Sequence, residues 1–161
     1  MILNKESINK IFEYKDGDLY WKINDWKKVK IGKKAGSINP LGYEQVSFRG
    51  KKYYIHRLIF AMFYDKNPKY IDHIDGNPSN NKIENLRECS QSENMFNQAI
   101  RSNNLSGFKN VSWNSRANKW LVKLTINGKQ QRIGLFDDVE LANSAAIKAR
   151  KNFHKDFARH L

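Results

Sequence analysis

The sequence predicts an α+β protein built from two small modules. Short strand-like segments followed by one amphipathic helix occupy the first half of the chain, and three closely spaced strands followed by an alanine-rich helix occupy the last third. The chain has 161 residues, of which 40% are hydrophobic, which is enough to bury two modest cores. General disorder is therefore excluded.

Strands come first in the chain. Residues 17–23 and 43–55 are rich in β-branched and aromatic side chains, and residues 16–17 and 49–51 carry turn signals. A helix is expected over 55–64, because the apolar residues there recur at the spacing of one helical face: Ile55, Leu58, Ile59, Met62 and Phe63.

Residues 98–105 predict a linker, since they are rich in asparagine and serine and contain few apolar side chains. The predicted modules are therefore 1–97 and 106–161. The second module begins with expected strands over 108–113, 120–126 and 130–135. The pair Asn127-Gly128, between the second and third of these, is a strong signal for a tight hairpin.

A helix is predicted after the third strand. Asp137 followed by Glu140 fits a helix start, and small or apolar residues then recur on one face: Ala142, Ala145, Ala146, Ala149 and Phe153. Small alanine side chains would let this helix lie close to the strands. The second module is therefore expected to be a three-stranded antiparallel sheet packed on one helix.

Charge and cysteine content narrow the classes of function. The formal net charge of +13 predicts a surface that attracts polyanions, with nucleic acid as the leading partner and a merely solubilising surface as the alternative. A single cysteine, Cys89, excludes an internal disulfide and any zinc site built on two thiolates. No stretch approaches the roughly 20 apolar residues of a bilayer span, so we expect a cytoplasmic protein without membrane association.

The chemically informative segment reads DHIDGNPSNN at 72–81, NLR at 85–87 and SQSEN at 90–94. A helix-loop-helix calcium site starting at Asp75 would need glycine at Asn80 and glutamate at Leu86, so that class is excluded. A plain turn is the alternative for the first run, because Asp, Gly, Asn and Pro are all turn formers.

The side chains of this segment are suited to binding a metal ion and to accepting a proton. Ser90 and Glu93 form a capping-box pattern, which predicts a helix beginning at Ser90 with Asn94 in its first turn. The Asp72 carboxylate and the Asn94 amide oxygen make a hard, incomplete ligand set that suits magnesium or manganese better than zinc. His73 would point to the opposite face of the strand from Asp72, and its imidazole could accept a proton from water near neutral pH.

With Asp72-His73, Asn85 and Asn94 in this order, residues 40–97 resemble the HNH endonucleases, particularly the phage and intron-encoded kind. The resemblance implies a ββα-metal fold, in which a β-hairpin and a helix surround one metal ion. It also implies that His73 is the general base and that Asp72 and Asn94 are metal ligands. Asn85 would hold the hairpin and orient the catalytic histidine, with a simple turn asparagine as the alternative.

Two further features bear on this resemblance. Asn94 stands where many members have histidine, although the intron-encoded branch is similar to this chain at that position, and the difference from the other members affects metal preference. His56 and Arg57 lie where the family often has His-Arg, so both are treated as secondary phosphate contacts, with a hydrogen-bonded structural histidine as the alternative for His56.

Residues 106–161 resemble the ethylene-response-factor type of DNA-binding domain, on the strand motifs at 106–113, 120–126 and 132–136. Residues 106–136 carry six Lys or Arg and no acid. The resemblance implies that the sheet enters the DNA major groove with the helix behind it, and a solvated charged face is the alternative. Asn110 replaces the usual glycine of that family. The expected DNA contacts are Lys109, Ser112, Asn114, Arg116, Lys119, Lys123, Thr125, Gln130 and Arg132.

Together these patterns predict a metal-dependent DNA endonuclease that hydrolyses phosphodiester bonds, of the phage or intron-encoded homing type. We expect double-stranded DNA as the partner, one Mg²⁺ or Mn²⁺ per active site, no small-molecule cofactor, and either a monomer or a dimer. The expected location is the cytoplasm of a bacterial or phage-infected host cell. The alternatives are a non-catalytic DNA-binding regulator that retains an HNH scaffold, and an RNA-binding or ribosome-associated basic protein.

Overall fold

The computed structural model describes residues 4–24, 29–96, 100, 103–126 and 128–154. The chain divides into two compact units, Met1–Cys89 and Ser90–Leu161. The linker predicted at 98–105 lies partly outside the described residues, so the predicted module limits remain a prediction. No described helix is long and apolar enough to cross a membrane.

The described residues of the first unit form three small antiparallel sheets, β1-β2, β3-β4-β5 and β6-β7. Its described elements, in chain order, are α1 (Lys5–Ile11), β1 (Phe12–Lys15), β2 (Asp18–Trp21), β3 (Ser37–Ile38), β4 (Glu44–Phe48), β5 (Lys51–Tyr54), α2 (Ile55–Tyr64), β6 (Tyr70–His73), a 3-10 turn (Ile83–Asn85) and β7 (Leu86–Cys89).

The helix and the turns predicted in this unit are confirmed. Helix α2 has the expected bounds, and its predicted apolar face is buried except at Phe63, which is 44% exposed. The residues predicted at 16–17 and 49–50 form tight turns with positive φ, where glycine is favoured because it has no Cβ. The segment predicted as strand at 43–55 is a hairpin of β4 and β5, because the Arg49-Gly50 turn reverses the chain.

The core of the first unit joins α1 and α2 to the small sheets. Ile8, Leu19, Ile55 and Ile59 are fully buried within it. The Phe12 ring packs on Trp21, with the ring centroids 4.7 Å apart. This core anchors the base of α2 and therefore the side chains at its N-terminal end.

The second unit contains α3 (Gln91–Phe96), β8 (Val111–Asn114), β9 (Lys119–Ile126), β10 (Lys129–Phe136) and α4 (Val139–His154). The three strands form one antiparallel sheet in the order β10-β9-β8, as predicted. Ala142, Ala146 and Ala149 of α4 are buried against Val122 and Leu124. The expected close contact between an alanine face and the sheet is thus confirmed.

Two details of this unit differ from the sequence prediction. Asp138, and not Asp137, caps α4, because its Oδ1 accepts the Leu141 N–H at 2.9 Å. Asp137 instead forms an ion pair with Lys119 at 3.0 Å. Phe153, predicted on the buried face, is 51% exposed. Asn127 of the predicted hairpin signal lies outside the described residues, while Gly128 has the positive φ of 76° that a tight turn requires.

Candidate functional site

Asp72 and His73 are the last two residues of β6. Both are buried, with 5% and 6% of their surface exposed. In the β6-β7 pairing Asp72 lies opposite Arg87 and His73 opposite Leu86. Adjacent residues of a strand point to opposite faces, so the two side chains enter different surroundings. The hairpin therefore brings a carboxylate and an imidazole to one strand end.

The Asp72 carboxylate lies against Arg87. Arg87 Nε and Nη2 donate to Asp72 Oδ2 at 2.9 Å and 2.7 Å. Hydrogen bonds from a guanidinium hold a carboxylate in one orientation. Arg87 therefore fixes the position of the Asp72 carboxylate.

Asn85 fastens the loop between β6 and β7. Its Oδ1 accepts the Asp75 N–H at 3.0 Å, and its Nδ2 donates to Asp75 Oδ1 at 3.0 Å and to Asn80 O at 2.8 Å. Burial acts to raise the pKa of Asp75, but hydrogen bonds from Asn80, the Asn77 N–H and Asn85 outweigh it and lower the pKa. Asn85 therefore stabilises the hairpin that carries His73.

The imidazole of His73 contacts a different amide. His73 Nε2 lies 3.1 Å from Asn81 Oδ1, and Asn81 Nδ2 donates to Glu44 Oε2 at 2.9 Å. Glu44 Oε1 in turn pairs with Lys34 Nζ at 3.0 Å. Sequence reasoning missed Asn81, Glu44 and Lys34, because they are far apart along the chain and have no distinctive spacing.

His56 lies beside this site, at the start of α2. Its ring centroid is 5.1 Å from that of His73 in an edge-on arrangement. Its surface is 7% exposed, and its Nδ1 has no hydrogen-bond partner among the described residues. Burial, with smaller effects of His73 and Arg57, lowers the pKa of His56 to about 3. His56 is therefore neutral at physiological pH. The predicted contact of His56 with phosphate would thus be made by an uncharged ring.

Arg57, the next residue of α2, bonds to the segment that precedes β6. It donates to Asn67 Oδ1, to Pro68 O at 2.6 Å and to Lys69 O at 3.4 Å. These bonds tie α2 to the segment that leads into β6. Arg57 thus has a structural task, and its role as a phosphate contact remains a prediction.

Asn94 lies in α3, in the second unit. The predicted capping box is confirmed, because the Ser90 N–H donates to Glu93 Oε2 at 2.7 Å and the Glu93 N–H to Ser90 Oγ at 3.2 Å. The Asn94 N–H donates to Ser90 O at 3.0 Å within the first turn. The expected helix is present, and the role of Asn94 as a metal ligand remains a prediction.

The same segment matches known proteins. The sequence model of the HNH endonucleases matches residues 53–96. Protein 3.8 of Escherichia phage T7 is 38% identical over 90 residues, which cover 56% of this chain and 74% of that protein. The chain belongs to the HNH endonuclease family. An uncharacterized HNH endonuclease, L245, of Acanthamoeba polyphaga mimivirus is 38% identical over 99 residues, 56% of this chain but 28% of that protein.

Among solved structures, the HNH homing endonuclease I-HmuI, studied for DNA binding and cleavage, is similar with a TM-score of 0.45 and 21% identity. The similarity covers 95% of this chain and 92% of that one.

The HNH segment contains hard oxygen donors for a divalent ion. The described residues include no group of three His, Cys, Asp or Glu side chains that could hold a metal alone. The Asp72 carboxylate is a hard oxygen donor of the kind that divalent cations with water and phosphate oxygens among their ligands take.

Beyond the HNH segment, the sheet of the second unit has one face turned away from α4. Val122 and Leu124 are buried against α4, so Lys123 and Thr125 point to the opposite face. Each residue of β8 and β10 points to the same face of the sheet as the β9 residue that lies opposite it. Seven of the predicted DNA contacts therefore share this outer face of the sheet: Ser112, Asn114, Lys119, Lys123, Thr125, Gln130 and Arg132.

Some of these residues have local structural partners. Asn114 Oδ1 accepts the Ala117 N–H at 3.1 Å and shapes the turn that carries Arg116. Lys119 pairs with Asp137 at 3.0 Å. Leu121 lies on the same outer face and is buried, so this face is not uniformly polar.

Lys109, the remaining predicted contact, precedes β8. Arg150, a fully buried residue of α4 that sequence reasoning missed, donates to Lys109 O at 2.6 Å. The next residue, Asn110, has a positive φ of 68°. Glycine and asparagine adopt this left-handed conformation more readily than most other residues, so asparagine is suited to this position.

Proposed function

We propose that this chain is a metal-dependent DNA endonuclease of the phage or intron-encoded homing type, with His73 as the general base. The observation that carries the proposal is the position of His73, buried at the end of β6 beside the Arg87-bound Asp72 and inside the segment that matches the HNH family. The intron-encoded branch is supported by the ordered residues Asp72, His73, Asn85 and Asn94.

The reaction is hydrolysis of a phosphodiester bond in double-stranded DNA. His73 accepts a proton from water, the oxygen of that water bonds to phosphorus, and the bond from phosphorus to the leaving oxygen breaks. Asp72 and Asn94 would hold one divalent ion, which when bound stabilises charge on the phosphate and on the leaving oxygen. Asn85 keeps the β6-β7 hairpin in the shape that places His73.

The second unit would supply DNA affinity. Its outer sheet face carries Lys123 and Arg132 on adjacent strands, directly opposite each other. Residues 106–136 contain no acid to repel phosphate. We place the sheet in the DNA major groove by its resemblance to the ethylene-response-factor type of domain.

The test is a nicking assay on supercoiled DNA with Mg²⁺ or Mn²⁺. The parent chain should convert the substrate to nicked or linear DNA, and His73→Ala should lower the rate by about 100-fold or more, the usual contribution of a general base. Binding to the same DNA, measured by fluorescence anisotropy, should stay close to that of the parent. An equal loss of binding and cleavage in His73→Ala, or no cleavage by the parent, would contradict the assignment.

A further inference from the structure

We propose that Asn81 is a positioning residue that fixes the hydrogen of His73 on Nε2 and so leaves Nδ1 as the atom that takes the proton from water. The inference rests on the proposed function, in which His73 is the general base. It adds which nitrogen of His73 acts and which residues decide this.

The orientation of the Asn81 amide follows from Glu44. An ionised carboxylate only accepts hydrogen bonds, so the Asn81 atom 2.9 Å from Glu44 Oε2 must be the NH₂ group. The other end of the amide, Oδ1, therefore faces His73. Both residues are buried, with Asn81 1% and Glu44 7% exposed, so water does not replace either partner. A reversed amide would bring two acceptors together at Glu44.

The tautomer of His73 follows from the orientation of Asn81. An amide oxygen also only accepts, so His73 Nε2, 3.1 Å away, must donate and must carry the hydrogen. A neutral imidazole has one N–H, and the second nitrogen then has a lone pair. Nδ1 is left as the proton acceptor.

Glu44 is itself held in place by a cation. Lys34 Nζ lies 3.0 Å from Glu44 Oε1 and 2.7 Å from Asp18 Oδ1. The hydrogen bond with Asp18, together with the interaction with Glu44, raises the pKa of Lys34 and keeps the ammonium charged. The order of contacts is thus Asp18, Lys34, Glu44, Asn81, His73, which links β2 and β4 of the N-terminal region to the end of β6.

Two neighbouring rings limit other arrangements of the imidazole. The His56 and Tyr43 ring centroids lie 5.1 Å and 6.0 Å from that of His73. Ring packing does not distinguish the two nitrogens of the imidazole, whereas a hydrogen bond does. The hydrogen bond to Asn81 therefore selects one tautomer and one ring orientation.

The series of contacts from Lys34 through Glu44 and Asn81 to His73 is called the relay below. Glu44→Gln tests it with a nearly isosteric change. Lys34 would hold the oxygen of the introduced amide, so the introduced NH₂ group would face Asn81. Asn81 would then turn its own oxygen to that NH₂ group and its own NH₂ group to His73 Nε2. His73 Nε2 would have to accept, and the hydrogen would move to Nδ1. Glu13→Gln, at an exposed glutamate of the same unit, is the matched control.

The double variant Glu44→Gln/Asn81→Asp tests the same logic by rescue. Lys34 again holds the oxygen of the introduced amide, and the NH₂ group of that amide donates to the introduced carboxylate. The other oxygen of this carboxylate accepts from His73 Nε2. The side chain facing His73 is again an acceptor, and the total charge of the pair is that of the parent. Asn81→Asp alone places two buried carboxylates in contact and should be destabilised.

Three measurements on the full chain decide the proposal. ¹⁵N chemical shifts at about pH 8, where imidazoles are neutral, report the His73 tautomer, with the signal assigned by its absence in His73→Gln. Steady-state cleavage gives kcat and KM, and urea unfolding shows that each variant is folded. We expect an Nε2–H tautomer in the parent, and an Nδ1–H tautomer in Glu44→Gln with kcat at least about tenfold lower and KM unchanged.

The double variant should regain the parent tautomer and most of the lost kcat. An Nδ1–H tautomer in the parent would overturn the proposal. So would a loss of kcat in Glu44→Gln without a change of tautomer, or a Glu44→Gln variant with the tautomer and kcat of the parent. The tautomer is read without any cleavage. If the parent showed the expected tautomer but cut no DNA, the proposed function would fail while the relay stood.

Discussion

Arg87 donates two hydrogen bonds to one oxygen of Asp72, from Nε at 2.9 Å and from Nη2 at 2.7 Å. The two residues lie directly opposite each other on β6 and β7. Their side chains are largely buried, with 17% and 6% exposed for Arg87 and Asp72. The pair therefore closes the hairpin and fixes the buried Asp72 carboxylate next to His73.

Breaking this pair should destabilise the fold. Arg87→Met keeps most of the side-chain volume but leaves the Asp72 charge buried without its cation, so we expect a loss of about 2–4 kcal/mol in the free energy of unfolding. Glu88→Gln, on the same strand, is the control, because its contact with Lys66 is exposed and long, at 3.9 Å. That change should cost less than about 0.5 kcal/mol. Equal effects in urea denaturation would argue against a stabilising role for the pair.

Removal of the metal should abolish cleavage without unfolding the chain. Excess chelator should stop the reaction, and Mg²⁺ or Mn²⁺ should restore it, because the proposed ligands are hard oxygen donors. Asn94→Ala should lower kcat by about 10- to 100-fold, whereas Ser92→Ala, at an exposed position of the same helix, should leave it unchanged. Sustained cleavage in chelator would refute the metal requirement.

The buried His56 should make the stability depend on pH. Its pKa is about 3 in the folded chain and near 6.5 in the unfolded chain, so the unfolded state binds more protons between these values. Stability is therefore lost as pH falls from about 6.5 towards 3, by up to about 1.4 kcal/mol per pH unit. His56→Phe removes this component and should flatten the curve of unfolding free energy against pH. Parallel curves for parent and variant in urea titrations at pH 4 to 7 would contradict it.

The local elements were predictable because their signals are local. The bounds of α2 followed from five apolar residues at helical spacing, and the capping box at Ser90 and Glu93 follows from two side chains three residues apart. The four ordered residues of the HNH resemblance lie within 23 positions of one another, from Asp72 to Asn94. Such patterns need no knowledge of tertiary packing.

The contacts around the imidazole could not be predicted in this way. Asn81 and Glu44 are 37 residues apart and meet only because β4 and the β6-β7 loop pack together. Asn81 reads as one more turn asparagine in a run of turn formers. Likewise the partners of Arg87 and Arg150 depend on the strand register and on the contact of α4 with the sheet. Polar pairs between residues that are far apart in the chain leave no periodic pattern in a single sequence.

The last prediction concerns the outer face of the sheet in the second unit. Lys123 and Arg132 are exposed and opposite each other on β9 and β10. If both contact phosphate, Lys123→Ala/Arg132→Ala should weaken DNA binding and lower the slope of log affinity against log salt by about 0.9 for each lost contact. The control is Lys148→Ala/Lys151→Ala, which removes the same charge from exposed positions of α4.

Binding should be titrated at several salt concentrations with His73→Ala in every chain, so that the DNA is not cut. The control should shift affinity only slightly, because charges that do not touch phosphate act through a screened, long-range potential. Equal slopes for the two double variants would mean that the sheet face binds through general positive charge alone. In that case the assignment of Lys123 and Arg132 as direct contacts would be wrong, while the catalytic assignment of His73 would be unaffected.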